Sequence, residues 1–154
     1  MADKTGSCLC GAVKFEMSGP LRAVIACHCR QCRKQTGNYM SATAVKDGYL
    51  TLTEARGLKW YRSSNKARRG FCQECGSTLF WKGDGRDYTA IAAGTIDGVL
   101  GVPLEGHIFC ESAGDYYEIA GGNYRTARWA PVPGVAEGTA FSFHKPGESR
   151  DDGD

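Results

Sequence analysis

The 154-residue sequence predicts a mainly β fold, a single domain of short antiparallel strands. Glycine supplies 21 residues, roughly twice the usual share of ~7%. Each glycine inside a helix costs about 1 kcal/mol, which disfavours a helical bundle. Apolar and polar residues alternate in short runs, the period of a half-buried strand. No segment holds a 3.6-residue apolar period for three turns, and nothing repeats except paired cysteine motifs. A chain of this length buries roughly 68–70% of its unfolded surface, so its own core rather than disulfide staples holds it together.

Ala12–Met17 opens the series, with Val13, Phe15 and Met17 on one face and Lys14 and Glu16 on the other, and Gly19-Pro20 ends it. Arg22–Cys27 is apolar enough for a second strand and delivers the chain to Cys27-His28-Cys29-Arg30-Gln31-Cys32. The polar run Arg33–Gly37 predicts a turn or short helix. Tyr39–Val45 and Tyr49–Thr53 flank Asp47-Gly48, a two-residue hairpin signal. Leu58–Arg62, Thr78–Lys82, Tyr88–Ala93 and His107–Glu111 complete the strands, punctuated by Gly83-Asp84-Gly85 and Asp97-Gly98. The domain is expected to span residues 1–144. Residues 145–154 hold no apolar side chain but a proline and are expected to form a disordered acidic tail.

A formal charge of +2 and a pI near 8.1 provide no general field for nucleic acid or an anionic membrane. Met1–Ser7 is polar, and no apolar run approaches the ~18–20 residues of a membrane span or a signal-peptide core. The expectation is a soluble, cytoplasmic protein with no membrane partner. Thiols stay reduced in that compartment, so eight cysteines point to metal ligands or catalysis before disulfides.

Seven of those cysteines fall in three groups. Cys8 and Cys10 sit at i and i+2, where an extended chain points both side chains to one side. Cys72-x-x-Cys75-Gly76 is a knuckle in which a tight turn converges two thiolates and the glycine tolerates the backbone torsions. Joined, these four make a closed tetrahedral zinc site with a structural role, contributing folding free energy of order 10 kcal/mol. A buried thiol set without metal is the plainer alternative, and a redox Cys-x-x-Cys lacks its βαβ context.

Cys27, Cys29 and Cys32 form a second cluster with three ligands and no obvious fourth, the pattern of an open, catalytic zinc. Cys110 is either a closing ligand or a small apolar residue. His28, between two ligands on an extended chain, is expected to point away from them, as a surface histidine. Three thiolates and Zn²⁺ sum to −1, which blunts the ion as a Lewis acid but lets it hold a further thiol as thiolate, the nucleophilic form. Arg30, Arg33 and Lys34 flank the cluster, either offsetting its charge and pairing with substrate carboxylates or forming a solvated basic turn.

Cys-x-Cys-Gly at Cys8–Gly11, Cys-x-Cys-x-x-Cys followed by Thr36-Gly37, Phe71-Cys72-x-x-Cys75-Gly76-Ser77 and Pro103-x-x-Gly-His107-Ile108-Phe109 resemble the glutathione-dependent formaldehyde-activating enzyme family, over about Ser7–Ile119. The resemblance implies a compact, mainly β fold shared with a Rab-binding zinc protein. It implies structural zinc on Cys8, Cys10, Cys72 and Cys75 and catalytic zinc on Cys27, Cys29 and Cys32. Its implied activity is carbon–sulfur bond formation and cleavage, joining glutathione and formaldehyde. His28, Arg30 and the short acidic C-terminus depart from the formaldehyde-activating members.

Two functions follow. The first is a zinc-dependent carbon–sulfur lyase acting on the adduct of a glutathione-type thiol with a small aldehyde, with His107 a candidate to pass a proton. The second is a non-catalytic zinc module binding protein or nucleic acid, for which Tyr61, Arg62, Lys66, Arg68 and Arg69 offer an aromatic-basic stretch. Sixty-one residues separate Cys10 from Cys72, far beyond the spacing of a zinc ribbon. Trp60, Trp81, Tyr116, Tyr117 and Trp129 are expected in the core or a pocket wall.

Overall fold

A computed structural model describes residues 3–119 and 131–136. Among these, ten strands and one short α-helix form: β1 (Lys4–Ser7), β2 (Lys14–Met17), β3 (Val24–Cys27), α1 (Arg30–Thr36), β4 (Met40–Lys46), β5 (Leu50–Glu54), β6 (Leu58–Arg62), β7 (Ala67–Cys72), β8 (Thr78–Gly83), β9 (Tyr88–Ala92) and β10 (Leu104–Ile108). The mainly β expectation holds. One sheet runs β1-β2-β5 and the other β10-β3-β4-β9-β8-β7-β6. Strand neighbours are antiparallel except β10, which lies parallel to β3 and sets His107 beside Ala26.

The alternation predicted from Ala12 produces a strand whose Phe15 and Met17 are buried while Lys14 and Glu16 are exposed. Phe15 meets Phe80 of the larger sheet edge to face at 5.3 Å, fastening the two sheets, a contact type that contributes ~0.5–1.5 kcal/mol beyond its buried area. Val13, Val45, Leu79 and Ile91 complete that core. A second core gathers Ile25, Met40, Ala44, Tyr88 and Ile108 around Cys29 and Cys32.

Asp47-Gly48 does not make a hairpin. β4 continues into a 3₁₀ turn at Asp47–Tyr49, and β5 leaves to pair with β2 in the other sheet. The primed turn needs positive φ at both central residues, whereas Gly48 is not among the positive-φ residues. The Asp47 carboxylate instead accepts from Lys82 and from the Thr89 hydroxyl, which holds the turn against β8 and β9. The strand expected at His107–Glu111 is displaced: β10 ends at Ile108, and Cys110–Ser112 forms a 3₁₀ turn after Phe109, whose φ of 55° stops the extended chain. β1 and β7 add two strands to those that the sequence pattern predicts. Residues 145–154, the boundary at 144 and Trp129 lie outside the described residues.

Candidate metal centres

The four-cysteine group assembles from two turns. The Cys8–Val13 turn closes by paired backbone bonds and Gly11 at φ 81°, and the Val13 amide donates to Cys8 Sγ at 3.2 Å. The Cys72–Ser77 turn closes by the Gly76 amide to the Cys72 carbonyl at 2.7 Å, with Gly76 at φ 79°. The Leu9 amide donates to Ser77 Oγ at 3.0 Å and fastens one turn to the other. Sγ separations of 3.7 Å for Cys8–Cys10 and 3.8 Å for Cys10–Cys72 match tetrahedral thiolates around one ion. The Ser77 hydroxyl and amide hold the Cys75 thiol down to about 5, near a thiolate at neutral pH.

The second group forms where β3 runs into α1. Cys29 has extended torsions and caps the helix, its Sγ accepting from the Cys32 amide at 3.3 Å. Gly37, left-handed at φ 80°, ends the helix about two turns later. The Sγ atoms of Cys27, Cys29 and Cys32 lie within 4.8 Å of one another. Hydrogen bonds from Cys27 and Cys32 hold the Cys29 thiol far below its ordinary value, while the same contacts and burial push Cys27 well up. Among the three thiols, ionisation is therefore favoured at Cys29 and disfavoured at Cys27. Both donor sets, soft thiols already drawn together, suit a metal such as zinc. Cys110 stands outside this group, half-buried in the following 3₁₀ turn.

A buried cation faces the cluster, and it comes from the aromatic-basic stretch of Tyr61–Arg69. Arg69, from β7, donates Nη1 to Cys32 Sγ at 3.4 Å and is clamped by Gln35 Oε1 at 3.0 Å and Gln31 Oε1 at 3.2 Å. Burial opposes its charge, yet the Cys32 and Cys29 thiols raise its pKa. The aromatic-basic stretch is thereby dispersed. Arg62 pairs with Asp84 at 2.7 Å, Arg68 lies over Trp60 at 4.3 Å, and Arg69 turns inward. Trp60 and Trp81 are half-buried, stacked on Phe80 and Tyr88.

His28 is not on the surface. It points away from Cys27 and Cys29 as the extended chain requires, but the far side is interior, and the residue is fully buried. Its Nε2 meets His107 Nδ1 at 2.9 Å, its Nδ1 meets Tyr117 Oη at 2.6 Å, and Tyr39 covers the ring at 4.7 Å between centroids. Burial, then His107, pulls its pKa down to about 4. Burial likewise lowers His107 and raises Tyr117.

The geometry defines a class: a mainly β protein carrying two groups of cysteines placed so that each could hold a metal ion, one of four and one of three. Comparison with known families places it further. The family model described as glutathione-dependent formaldehyde-activating enzyme matches residues 3–112, and the chain belongs to that family. A Schizosaccharomyces pombe protein named as an uncharacterized lyase is 26% identical over 122 residues, covering 78% of this chain and 88% of that protein. A crystal structure of a Rhodobacter sphaeroides protein aligns with a TM-score of 0.51 and 26% identity, over 66% of this chain and 99% of that one.

Proposed function

We propose that the chain is a zinc-dependent carbon–sulfur lyase-like enzyme that makes and breaks the adduct of a glutathione-type thiol with a small aldehyde. The supporting observation is a three-thiol group beside a buried cation, separate from a four-thiol group that needs no further ligand. Cys8, Cys10, Cys72 and Cys75 would hold a structural zinc. Cys27, Cys29 and Cys32 would hold the second, which when bound lowers the pKa of an incoming thiol.

The chain's own residues do the rest. The Cys29 cap fixes the thiols at the strand–helix junction, so they are ordered before substrate arrives. Arg69 offsets the negative charge that thiolates accumulate in a buried place, where an unpaired charge costs several kcal/mol. The thiol sulfur bonds to the carbonyl carbon, the carbonyl π pair moves to oxygen, and the thiol proton ends on that oxygen; the reverse breaks the carbon–sulfur bond. His28, His107 and Tyr117 form a hydrogen-bonded wall held by packing.

Cys29→Ser tests this reading by glutathione calorimetry on the zinc-loaded protein. It is expected to keep the parent's circular dichroism and lose thiol binding. Equal binding by the variant ends the lyase reading, and zinc bound by the parent with no thiol affinity leaves a non-catalytic zinc module.

A further inference from the structure

Helix α1 turns Cys32 into the core while Gln31, Lys34 and Gln35, at helical neighbour spacing, share another face. That face and the β6–β7 hairpin flank an open pocket of about 290 Å³, with Tyr61 and Ser63 on the hairpin side. This is room for roughly ten waters or a small carboxylate-bearing arm. Arg30, Lys34 and Arg69 line it, and among the described residues no carboxylate does. Lys34 is exposed and has no ion-pair partner among them. The Gln31 amide, by donating to the Ser63 carbonyl at 3.1 Å and accepting from Arg69, locks the helix to the hairpin and keeps the pocket's wall in place.

Arg69 belongs to both places. Arg69 lines the pocket, and its Nη1 donates to Cys32 Sγ at 3.4 Å, so one side chain reaches both the pocket and the three-thiol cluster. We infer that this pocket is a carboxylate subsite, receiving an anionic arm of the same molecule whose sulfur approaches Cys27, Cys29 and Cys32. It selects acidic thiols over neutral ones. Arg69's charge answers the thiolates, so Arg30 and Lys34 supply the additional positive charge that a carboxylate meets. The inference rests on the thiol-binding reading of the cluster.

The test uses zinc-loaded full-length protein, the variants Arg30→Gln and Lys34→Gln, and three probes: glutathione, S-methylglutathione with its sulfur blocked, and 2-mercaptoethanol without carboxylates. Each variant is expected to weaken both glutathione ligands about tenfold, the effect of losing one charge-assisted hydrogen bond, and to leave 2-mercaptoethanol within about twofold. The parent's glutathione affinity is expected to fall more steeply with salt than the variants'. Variants that bind glutathione like the parent, or lose 2-mercaptoethanol in equal measure, overturn the subsite. If neither thiol engages the cluster but S-methylglutathione still requires Lys34, the pocket binds carboxylates by itself, and both its link to the cluster and the lyase reading fall. No binding of any probe overturns both.

Discussion

His28 and His107 share one hydrogen bond between ring nitrogens, so a proton sits on one side or the other, and neither ring gains a further charge cheaply in that enclosure. Burial lowers the His107 pKa below its ordinary 6.5, so an unfolded chain binds a proton there that the folded chain refuses. Its stability contribution is therefore complete above that unfolded value and is lost as pH falls through it. Urea unfolding from pH 7.5 down to 5.5 should show stability falling, and a His107→Gln variant should fall less steeply. Parallel slopes would remove His107 from the account. The alternation at Cys27-His28-Cys29 was legible in the sequence. What covered the opposite side was not, because His107 and Tyr117 arrive from 79 and 89 residues away.

The elements that read correctly were those whose alternation matched their burial, such as β2 and β6. β7 was hidden because one of its inward positions is Arg69, a cation made tolerable there by thiols that only the fold brings near. Two glycines separate local from long-range demands. At Gly37 the left-handed torsion is required and nothing lies within 4 Å of an added Cβ, so Gly37→Ala should cost about 1 kcal/mol in denaturant unfolding and leave metal content unchanged. At Gly57 an added Cβ would sit 2.7 Å from Ala12 Cβ and 2.8 Å from Cys72 Sγ, with both neighbours fixed in the core. Gly57→Ala should cost about 1–3 kcal/mol and also weaken metal retention, because relief requires moving Cys72 out of its group. A Gly57→Ala protein that held its metal like the parent would show that the turn yields elsewhere.

At the scale of the molecule, the N-terminal segment and the middle of the chain meet through sulfur contacts, with Cys10 Sγ 3.8 Å from Cys72 Sγ. Cys8 and Cys10 follow β1 of the smaller sheet, while Cys72 and Cys75 occupy the turn between β7 and β8 of the larger one. A metal held there closes a loop of about sixty residues and adds to the Phe15–Phe80 contact between sheets. The cysteine spacing made this join legible, whereas the division into two sheets was not, since it depends on β5 abandoning β4 for β2. The two groups should consequently lose metal in order. Four protein ligands hold an ion more tightly than three, and binding at a closed site is itself folding free energy. Chelator titration of the two-zinc protein should first remove one equivalent with near-ultraviolet circular dichroism intact, since Cys27, Cys29 and Cys32 already sit in an apolar core with Ile25 and Met40. The second equivalent should leave together with the tertiary signal. Cys72→Ser should abolish the second step and lower the melting temperature, whereas Cys29→Ser should abolish only the first. Loss of tertiary signal with the first equivalent, in a protein whose Cys72→Ser variant melts like the parent, would assign the structural ion to the three-cysteine group instead.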